Sequence, residues 1–138
     1  MKNIVLFASG NGTNAQSIMD YFEHHKHIQV SLVLSNKSDA HVLERATKKM
    51  VPAMYFNKFA FAKANSIQTL LQSINPDLIV LAGFLWKFPI HLTEAFPNKI
   101  INIHPALLPK YGGKGMYGMH VHEAIVANKE AQSGITIH

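Results

Sequence analysis

The sequence predicts one doubly wound α/β domain, in which a mostly parallel sheet carries helices on both faces. Its length of 138 residues is the size of a single domain, and 48% apolar against 15% charged residues favours a packed core. Short continuous apolar runs alternate along the chain with segments of helical spacing. This alternation implies right-handed crossovers between parallel strands, so we expect a single domain over residues 1–138.

The strands are predicted by apolar runs that turn residues separate. A continuous run without polar alternation is typical of a strand buried on both faces, and residues 78–82 are the clearest case. Pro52 ends the segment before a short run, which predicts an edge strand. In chain order, the predicted strands cover residues 4–8, 28–34, 53–56, 78–82 and 100–103, and a further strand starts at 135–137.

Between these runs, apolar residues recur every three or four positions, as on one face of a helix. Side-chain oxygens that accept first-turn amide protons are candidate caps. Thr13 or Asn14 can cap the first helix, Ser38 or Asp39 the second, and Asn57 the third. In chain order, the predicted helices cover residues 15–22, 42–50, 67–74, 90–96 and 120–127.

Composition excludes several classes of function. The chain has no cysteine, so disulfides, thiolate metal sites and a cysteine nucleophile are excluded. Its formal charge of +5 comes from scattered lysines and one arginine, Arg45, whereas nucleic-acid binders cluster their positive charge. The longest apolar run, residues 78–86, is too short to cross a membrane, and residues 1–3 leave no room for a signal peptide. We therefore expect a cytoplasmic protein that binds neither nucleic acid nor membrane.

The loop at residues 9–14 joins the first strand to the first helix. Glycines there allow positive φ, and the helix start presents amide protons to an anion, which favours phosphate binding over an ordinary turn. The spacing of Gly10, Gly12 and Ala15 also satisfies a loose dinucleotide fingerprint. That fingerprint needs an acidic residue at the end of the second strand, and Asp39 lies past that point. A phosphate monoester therefore suits the loop better than a dinucleotide.

A second candidate site lies where the fifth strand ends. Asn102 and His104 are two residues apart and share one face of the strand, which Pro105 terminates. An amide offers a hydrogen-bond donor to an oxyanion, and an imidazole is a titratable acid or base. A lone buried histidine is more often a satisfied core residue, but the pair at a switch point favours catalysis. Without a serine elbow or a cysteine, direct transfer between two substrates is expected.

The other histidines do not predict a metal site. His24, His25 and His27 fall at a helix end, where surface placement is expected. His120 and His122 have the spacing of a ligand pair, but no acidic residue with ligand spacing lies nearby.

Residues 102–110, Asn-Ile-His-Pro-Ala-Leu-Leu-Pro-Lys, resemble the signature of the folate-dependent formyltransferases. Residues 9–14, Ser-Gly-Asn-Gly-Thr-Asn, resemble the substrate loop of the branch that acts on glycinamide ribonucleotide. The resemblance extends to residues 36–40 and 81–84 and implies the Rossmann-like fold of that family. It also implies transfer of a formyl group from 10-formyltetrahydrofolate, as co-substrate, to the amine of glycinamide ribonucleotide, without a metal.

The resemblance assigns roles to particular residues. His104 would be the general acid, Asn102 would stabilise the tetrahedral oxyanion and contact the folate, and His138 would support them. Lys58 or Lys63 would meet the folate tail. The ribonucleotide phosphate would be held by Asn11, Gly12, Thr13 and Asn14. The pocket for the folate pteridine would be lined by Leu85, Trp86, Lys87 and Phe88.

Two expectations concern the rest of the chain. Residues 111–118 contain four glycines, which favours a mobile lid over the folate. The family's catalytic aspartate lies beyond the position of His138, so we expect the 138 residues to be a fragment with poor activity. Other formyl-folate enzymes, a deformylase or a methionyl-tRNA formyltransferase, remain alternatives, as does a non-catalytic or nicotinamide-binding domain.

Overall fold

The computed structural model describes residues 1–104 and 136–137, which form one six-stranded sheet of order β3-β2-β1-β4-β5-β6. The first five strands run parallel, and β6 pairs antiparallel with β5. The predicted doubly wound, mostly parallel sheet is confirmed. The strands are β1 Lys2–Phe7, β2 Ile28–Ser35, β3 Ala53–Tyr55, β4 Leu78–Ala82, β5 Ile100–His104 and β6 Thr136–Ile137.

Four α-helices and one short π-helical turn, Phe59–Lys63, connect the described strands. The longest of these helices has ten residues, and no helix in the described residues is long and apolar enough to cross a bilayer. The predicted helix at residues 120–127 lies outside the described residues. The helices are α1 Thr13–Phe22, α2 His41–Lys48, α3 Ser66–Ile74 and α4 Ile90–Ala95.

The sheet separates two apolar cores because successive residues of each strand point to opposite faces. In β1, Val5 and Phe7 enter one core and Ile4 and Leu6 enter the other. The first core is closed by the π-helical turn, α3 and α4, through Phe61, Ile67, Leu71 and Leu92. The second is closed by α1 and α2, through Ala15, Met19, Val42 and Ala46. The expectation of helices on both faces is therefore confirmed.

The strand order creates a switch point at the carboxyl end of β1. This central strand has β2 on one side and β4 on the other, so the loops that follow β1 and β4 leave the sheet side by side. Just past β1, the Ala8 N–H donates to the Leu34 carbonyl (3.0 Å) and the Ser9 N–H to the Gly83 carbonyl (3.1 Å). Three strand ends thus converge where ligands of such sheets bind.

The predicted cap of α2 by Ser38 or Asp39 is wrong. The residue that precedes the helix is Ala40, and no side chain caps it. The reason is a tertiary contact, since the first-turn N–H of Val42 donates to the Gly10 carbonyl at 3.1 Å. A backbone carbonyl from the loop after β1 therefore replaces the local side-chain cap.

The cap predicted for the third helix is wrong in its target. The Asn57 Oδ1 accepts the Ala60 N–H at 2.9 Å and so caps the π-helical turn. That turn intervenes between Asn57 and α3, whose preceding residue is Asn65 without a side-chain cap. Asn57 therefore reaches only the nearer element.

Helix α2 ends at Lys48, two residues short of the predicted end at Met50. Met50 instead adopts φ +59° and is 91% exposed, while the Val51 N–H closes the helix end on the Ala46 carbonyl at 2.9 Å. A left-handed backbone is unfavourable for a side chain with a Cβ, whereas glycine adopts it freely.

Met50→Gly is therefore expected to raise the free energy of unfolding by about 1 kcal/mol, the left-handed penalty less the entropy that glycine adds to the unfolded chain. Chemical denaturation measures this change. Asn75→Gly is the matched control, since Asn75 ends α3 at φ +54° and asparagine tolerates that conformation. An increase at Asn75 as large as at Met50 would contradict the explanation.

Candidate active site

The loop after β1 is built around Gly12, which has φ +78° and precedes α1. A Cβ at this position would lie 2.4 Å from the Val42 Cγ2 and 3.0 Å from the Val42 Cα. Only glycine fits, both for its backbone conformation and for the close approach of α2. The expectation that Thr13 or Asn14 caps α1 is wrong, because α1 begins from this left-handed glycine and no side chain caps it.

Thr13 and Asn14 instead occupy the first turn of α1. The first amide groups of a helix have no intrahelical acceptor and present the positive end of the helix dipole. The structure thus brings together the four residues predicted for phosphate, with Asn11 and Gly12 in the loop and the other two at the helix start. This arrangement has the chemistry of an anion site.

Helix α2 supports this loop through a residue that the sequence analysis missed. The Arg45 Nε donates to the Asn11 carbonyl at 2.7 Å, and its Nη2 donates to the Asn11 Oδ1 at 3.1 Å. The two residues are 34 positions apart, so no local pattern links them. The only available signal was that Arg45 is the single arginine in the chain.

A second basic residue at the end of α2, Lys49, forms ion pairs, whereas Arg45 donates to uncharged oxygens. The Nζ of Lys49, the residue just past α2, lies 2.7 Å from Asp20 Oδ1 and 3.1 Å from Glu23 Oε2, so it joins the C-terminal end of α2 to that of α1. The hydrogen bond from Lys49 holds the pKa of the Asp20 carboxyl below its ordinary 3.8, and the same bond raises the pKa of Lys49 above 10.5. Arg45 forms no ion pair within the described part of the chain. At longer range, its positive charge also helps to lower the pKa of Asp20.

A buried polar junction links the loop after β1 to the segment after β4. Ser9 is 2% exposed and Asn36 is 6% exposed. The Ser9 Oγ donates to the Asn36 Oδ1 at 2.6 Å and accepts the Leu85 N–H at 2.8 Å. Within residues 1–104 and 136–137, the buried Asn36 Nδ2 has no hydrogen-bond partner. Both residues lie in motifs that the sequence analysis named, but their contacts were not predicted because these span 27 and 76 positions.

The segment after β4 begins at Gly83, which has φ +75° and open space where a Cβ would point. Of the four residues predicted to line a pteridine pocket, Leu85 and Lys87 are exposed. Trp86 and Phe88 are half-buried against the first core. The segment thus offers the site its backbone and two exposed side chains.

An aromatic cluster anchors the half-buried side of this segment. The Phe88 ring centroid lies 5.0 Å from that of Phe7, and the Trp86 ring lies 5.9 Å from Phe61. The Lys58 Nζ lies 5.7 Å from the Trp86 ring centroid, within cation–π range. Of the two lysines considered for the folate tail, Lys58 therefore contacts this segment.

Asn102 lies in β5, in register with Leu81 of β4. Ile100 packs against the first core, while Ile101 and Ile103 pack against the second, so alternation puts Asn102 on the side of Ile100. This is the side of the aromatic cluster and of the segment after β4.

Several predicted features lie at or beyond the end of the described residues. His104 is the last residue of β5, and its backbone pairs with Thr136 of β6. His138, Pro105, the glycine-containing loop at 111–118 and the histidines at 120 and 122 lie outside the described residues.

One of the described histidines organises a turn. The Nδ1 of His25 accepts the N–H groups of His27 and Ile28, both at 3.1 Å, which organises the turn between α1 and β2. Among residues 1–104 and 136–137, no three His, Cys, Asp or Glu side chains come together in a way that could hold a metal ion.

Comparisons with known proteins converge on one family. A sequence profile described as formyl transferase matches residues 2–138. Phosphoribosylglycinamide formyltransferase from Haemophilus influenzae is 40% identical over 144 residues, covering 100% of this chain and 65% of the relative. The chloroplastic phosphoribosylglycinamide formyltransferase of Arabidopsis thaliana is 36% identical over 143 residues, covering 99% of this chain and 49% of the relative.

Among solved structures, glycinamide ribonucleotide transformylase 1 from Geobacillus kaustophilus superposes with a TM-score of 0.85 at 35% identity. The match covers 100% of this chain and 73% of that structure. The chain therefore spans about half to two thirds of the curated relatives described above.

Proposed function

The chain belongs to the formyl transferase family, and we propose that it transfers the formyl group of 10-formyltetrahydrofolate to the amine of glycinamide ribonucleotide. One observation carries the proposal. The glycine loop after β1 and the segment after β4 lie side by side, joined through the Ser9 hydroxyl. A reaction between two bound substrates needs two such adjacent subsites. A cytoplasmic location and a reaction without a metal belong to the same proposal.

The ribonucleotide phosphate binds at the glycine loop. Support comes from the left-handed Gly12, which turns the chain into α1, and from the first turn of that helix, with the amide groups of Thr13 and Asn14. Asn11 adds a side chain that Arg45 orients. The positive helix end and the arginine both favour an anion there.

The pteridine of the folate binds against the segment after β4. Gly83, Leu85 and Lys87 are exposed, so the backbone at Gly83 is accessible. Trp86 and Phe88 support the segment from its half-buried side through the aromatic cluster. A flat heterocycle suits such an apolar wall with accessible backbone polar groups.

The chemistry is a direct acyl transfer. The amine nitrogen attacks the formyl carbon, and a new C–N bond gives a tetrahedral intermediate. The Asn102 amide donates to the oxyanion, which lowers the barrier where negative charge develops. His104 protonates the folate nitrogen as its bond to the formyl carbon breaks, and the proton that the attacking amine loses replaces the one that His104 gave, so that no net proton is consumed. His138 supports this pair.

The test is a formyl-transfer assay on the complete gene product with glycinamide ribonucleotide and 10-formyltetrahydrofolate. We expect formylated product in equal amounts to folate released, and no folate release when the ribonucleotide is omitted. Folate release without the ribonucleotide would mean a deformylase, and formylation of methionyl-tRNA instead would mean the other branch. Either result, or no turnover with any acceptor, would overturn the proposal.

A further inference from the structure

We propose that Arg45 is the positioning residue of the phosphate subsite, which fixes Asn11 and gives the glycine loop its positive charge. The inference rests on the proposed function for the identity of the ligand, a phosphate monoester on a sugar. It adds a residue from α2 to a site otherwise formed by the loop after β1 and the start of α1.

The geometry restrains both parts of Asn11. The Arg45 Nε donates to the Asn11 backbone carbonyl at 2.7 Å, and Nη2 donates to the Asn11 Oδ1 at 3.1 Å. A planar guanidinium that contacts backbone and side chain together fixes the peptide plane and the amide rotamer at once. The Asn11 Oδ1 is then occupied, which leaves the Asn11 amide NH₂ as the donor group available to a ligand.

Two further contacts of α2 hold the loop in place beside Arg45. The Val42 N–H donates to the Gly10 carbonyl at 3.1 Å, and the Val42 side chain fills the space where Gly12 lacks a Cβ. Helix α2 therefore contacts three consecutive loop residues. A loop that is ordered before the ligand arrives loses less entropy on binding, so preorganisation contributes to affinity.

The charge of Arg45 is directed at the loop. Its described hydrogen bonds go to uncharged amide and carbonyl oxygens, and no carboxylate among the described residues lies within ion-pair distance of the guanidinium. Lys49, just past the end of α2, instead forms ion pairs with Asp20 of α1 and with Glu23 just beyond that helix. A positive charge beside the N-terminus of α1 strengthens the attraction for a dianionic phosphate.

The inference predicts that the need for Arg45 depends on the ligand's phosphate. Arg45→Met is expected to raise the KM for glycinamide ribonucleotide about tenfold or more, the loss of one charge-assisted contribution. The value of kcat is expected to change much less, and the KM for 10-formyltetrahydrofolate not at all. Turnover of the dephosphorylated riboside is expected to be the same in the variant and the parent protein.

Two other variants separate charge from geometry. Arg45→Lys keeps the charge but loses the planar pair of bonds, so its KM is expected between those of the parent and Arg45→Met. Lys48→Met removes one positive charge from an exposed position of the same helix, and we expect its KM to match the parent. An equal loss for the phosphorylated and dephosphorylated substrates would overturn the inference, because it would show a purely structural role.

A binding measurement tests the inference without turnover. The thermal unfolding midpoint of the complete gene product is measured with ribose 5-phosphate and with ribose. We expect stabilisation by ribose 5-phosphate alone, and its loss in Arg45→Met. Equal stabilisation of the two proteins would overturn the role of Arg45 even if formyl transfer is confirmed. If formyl transfer fails but this difference holds, the proposed function is wrong and the phosphate site stands.

Discussion

Gly12→Ala is expected to lower the free energy of unfolding by about 3 kcal/mol. The backbone φ of +78° costs a residue with a Cβ about 1–2 kcal/mol. The new methyl group would also lie 2.4 Å from the Val42 Cγ2 and 3.0 Å from the Val42 Cα. Because the second atom belongs to the backbone of α2, a rotamer change cannot relieve the overlap, and overpacking adds about 1–3 kcal/mol. Chemical denaturation of the parent and the variant measures the difference.

Two other glycines separate backbone strain from steric overlap. Gly83 has φ +75°, and a Cβ added there would meet no described atom within 4 Å. Gly83→Ala is therefore expected to lower the free energy of unfolding by only about 1–2 kcal/mol, the cost of one left-handed residue with a Cβ. Gly10 has no positive φ, and a Cβ added there would meet no described atom within 4 Å, so Gly10→Ala is expected to change stability little. If Gly12→Ala costs no more than Gly83→Ala, then α2 moves to accept the methyl group and the steric part of the argument is wrong.

The sheet was predictable because its signal is local. A run such as residues 78–82 is apolar throughout, which only a strand covered on both faces requires, and the structure has β4 at Leu78–Ala82. Element ends were less predictable. The start of α2 depends on the bond from Val42 to the Gly10 carbonyl, 32 positions earlier in the chain, and no local pattern encodes such a contact.

The same limit applies to the site. Residues 9–14 could be predicted as a site, because glycines between a strand and a helix indicate a tight turn whose helix start can bind an anion. Arg45, Ser9 and Asn36 act through contacts of 27 to 76 positions, so their roles emerge only when the strand ends meet. Serine and asparagine are common loop residues, and their burial at a strand end is a property of the fold.

The segment after β4 shows a signal that was present but not used. Phe84, Trp86 and Phe88 are aromatic at a period of two, the pattern of an extended segment with one covered face. The structure packs these three rings against the first core and leaves Leu85 and Lys87 exposed. Reading the alternation would have divided the four predicted folate residues into two that support the segment and two that face outward.

Asn102→Ala is expected to lower kcat for formyl transfer by about 10²–10³-fold, the usual effect of removing one donor to a developing oxyanion. The position supports this role, because Asn102 lies in β5 on the side of the aromatic cluster that carries the segment after β4. In the proposed mechanism, the hydrogen bond from Asn102 strengthens as negative charge forms on the formyl oxygen. The loss should therefore appear in kcat more than in the KM of either substrate. Steady-state kinetics of the complete gene product measure both.

Asn102→Asp distinguishes the donor from the volume of the side chain. A carboxylate of nearly the same size fills the position but cannot donate, and its negative charge opposes that of the oxyanion. We therefore expect Asn102→Asp to be at least as inactive as Asn102→Ala. Quenching of Trp86, the single tryptophan of the chain, by a folate analogue reports whether each variant still binds the co-substrate. Recovery of activity in Asn102→Asp would mean that Asn102 serves packing, and the oxyanion donor would have to lie elsewhere.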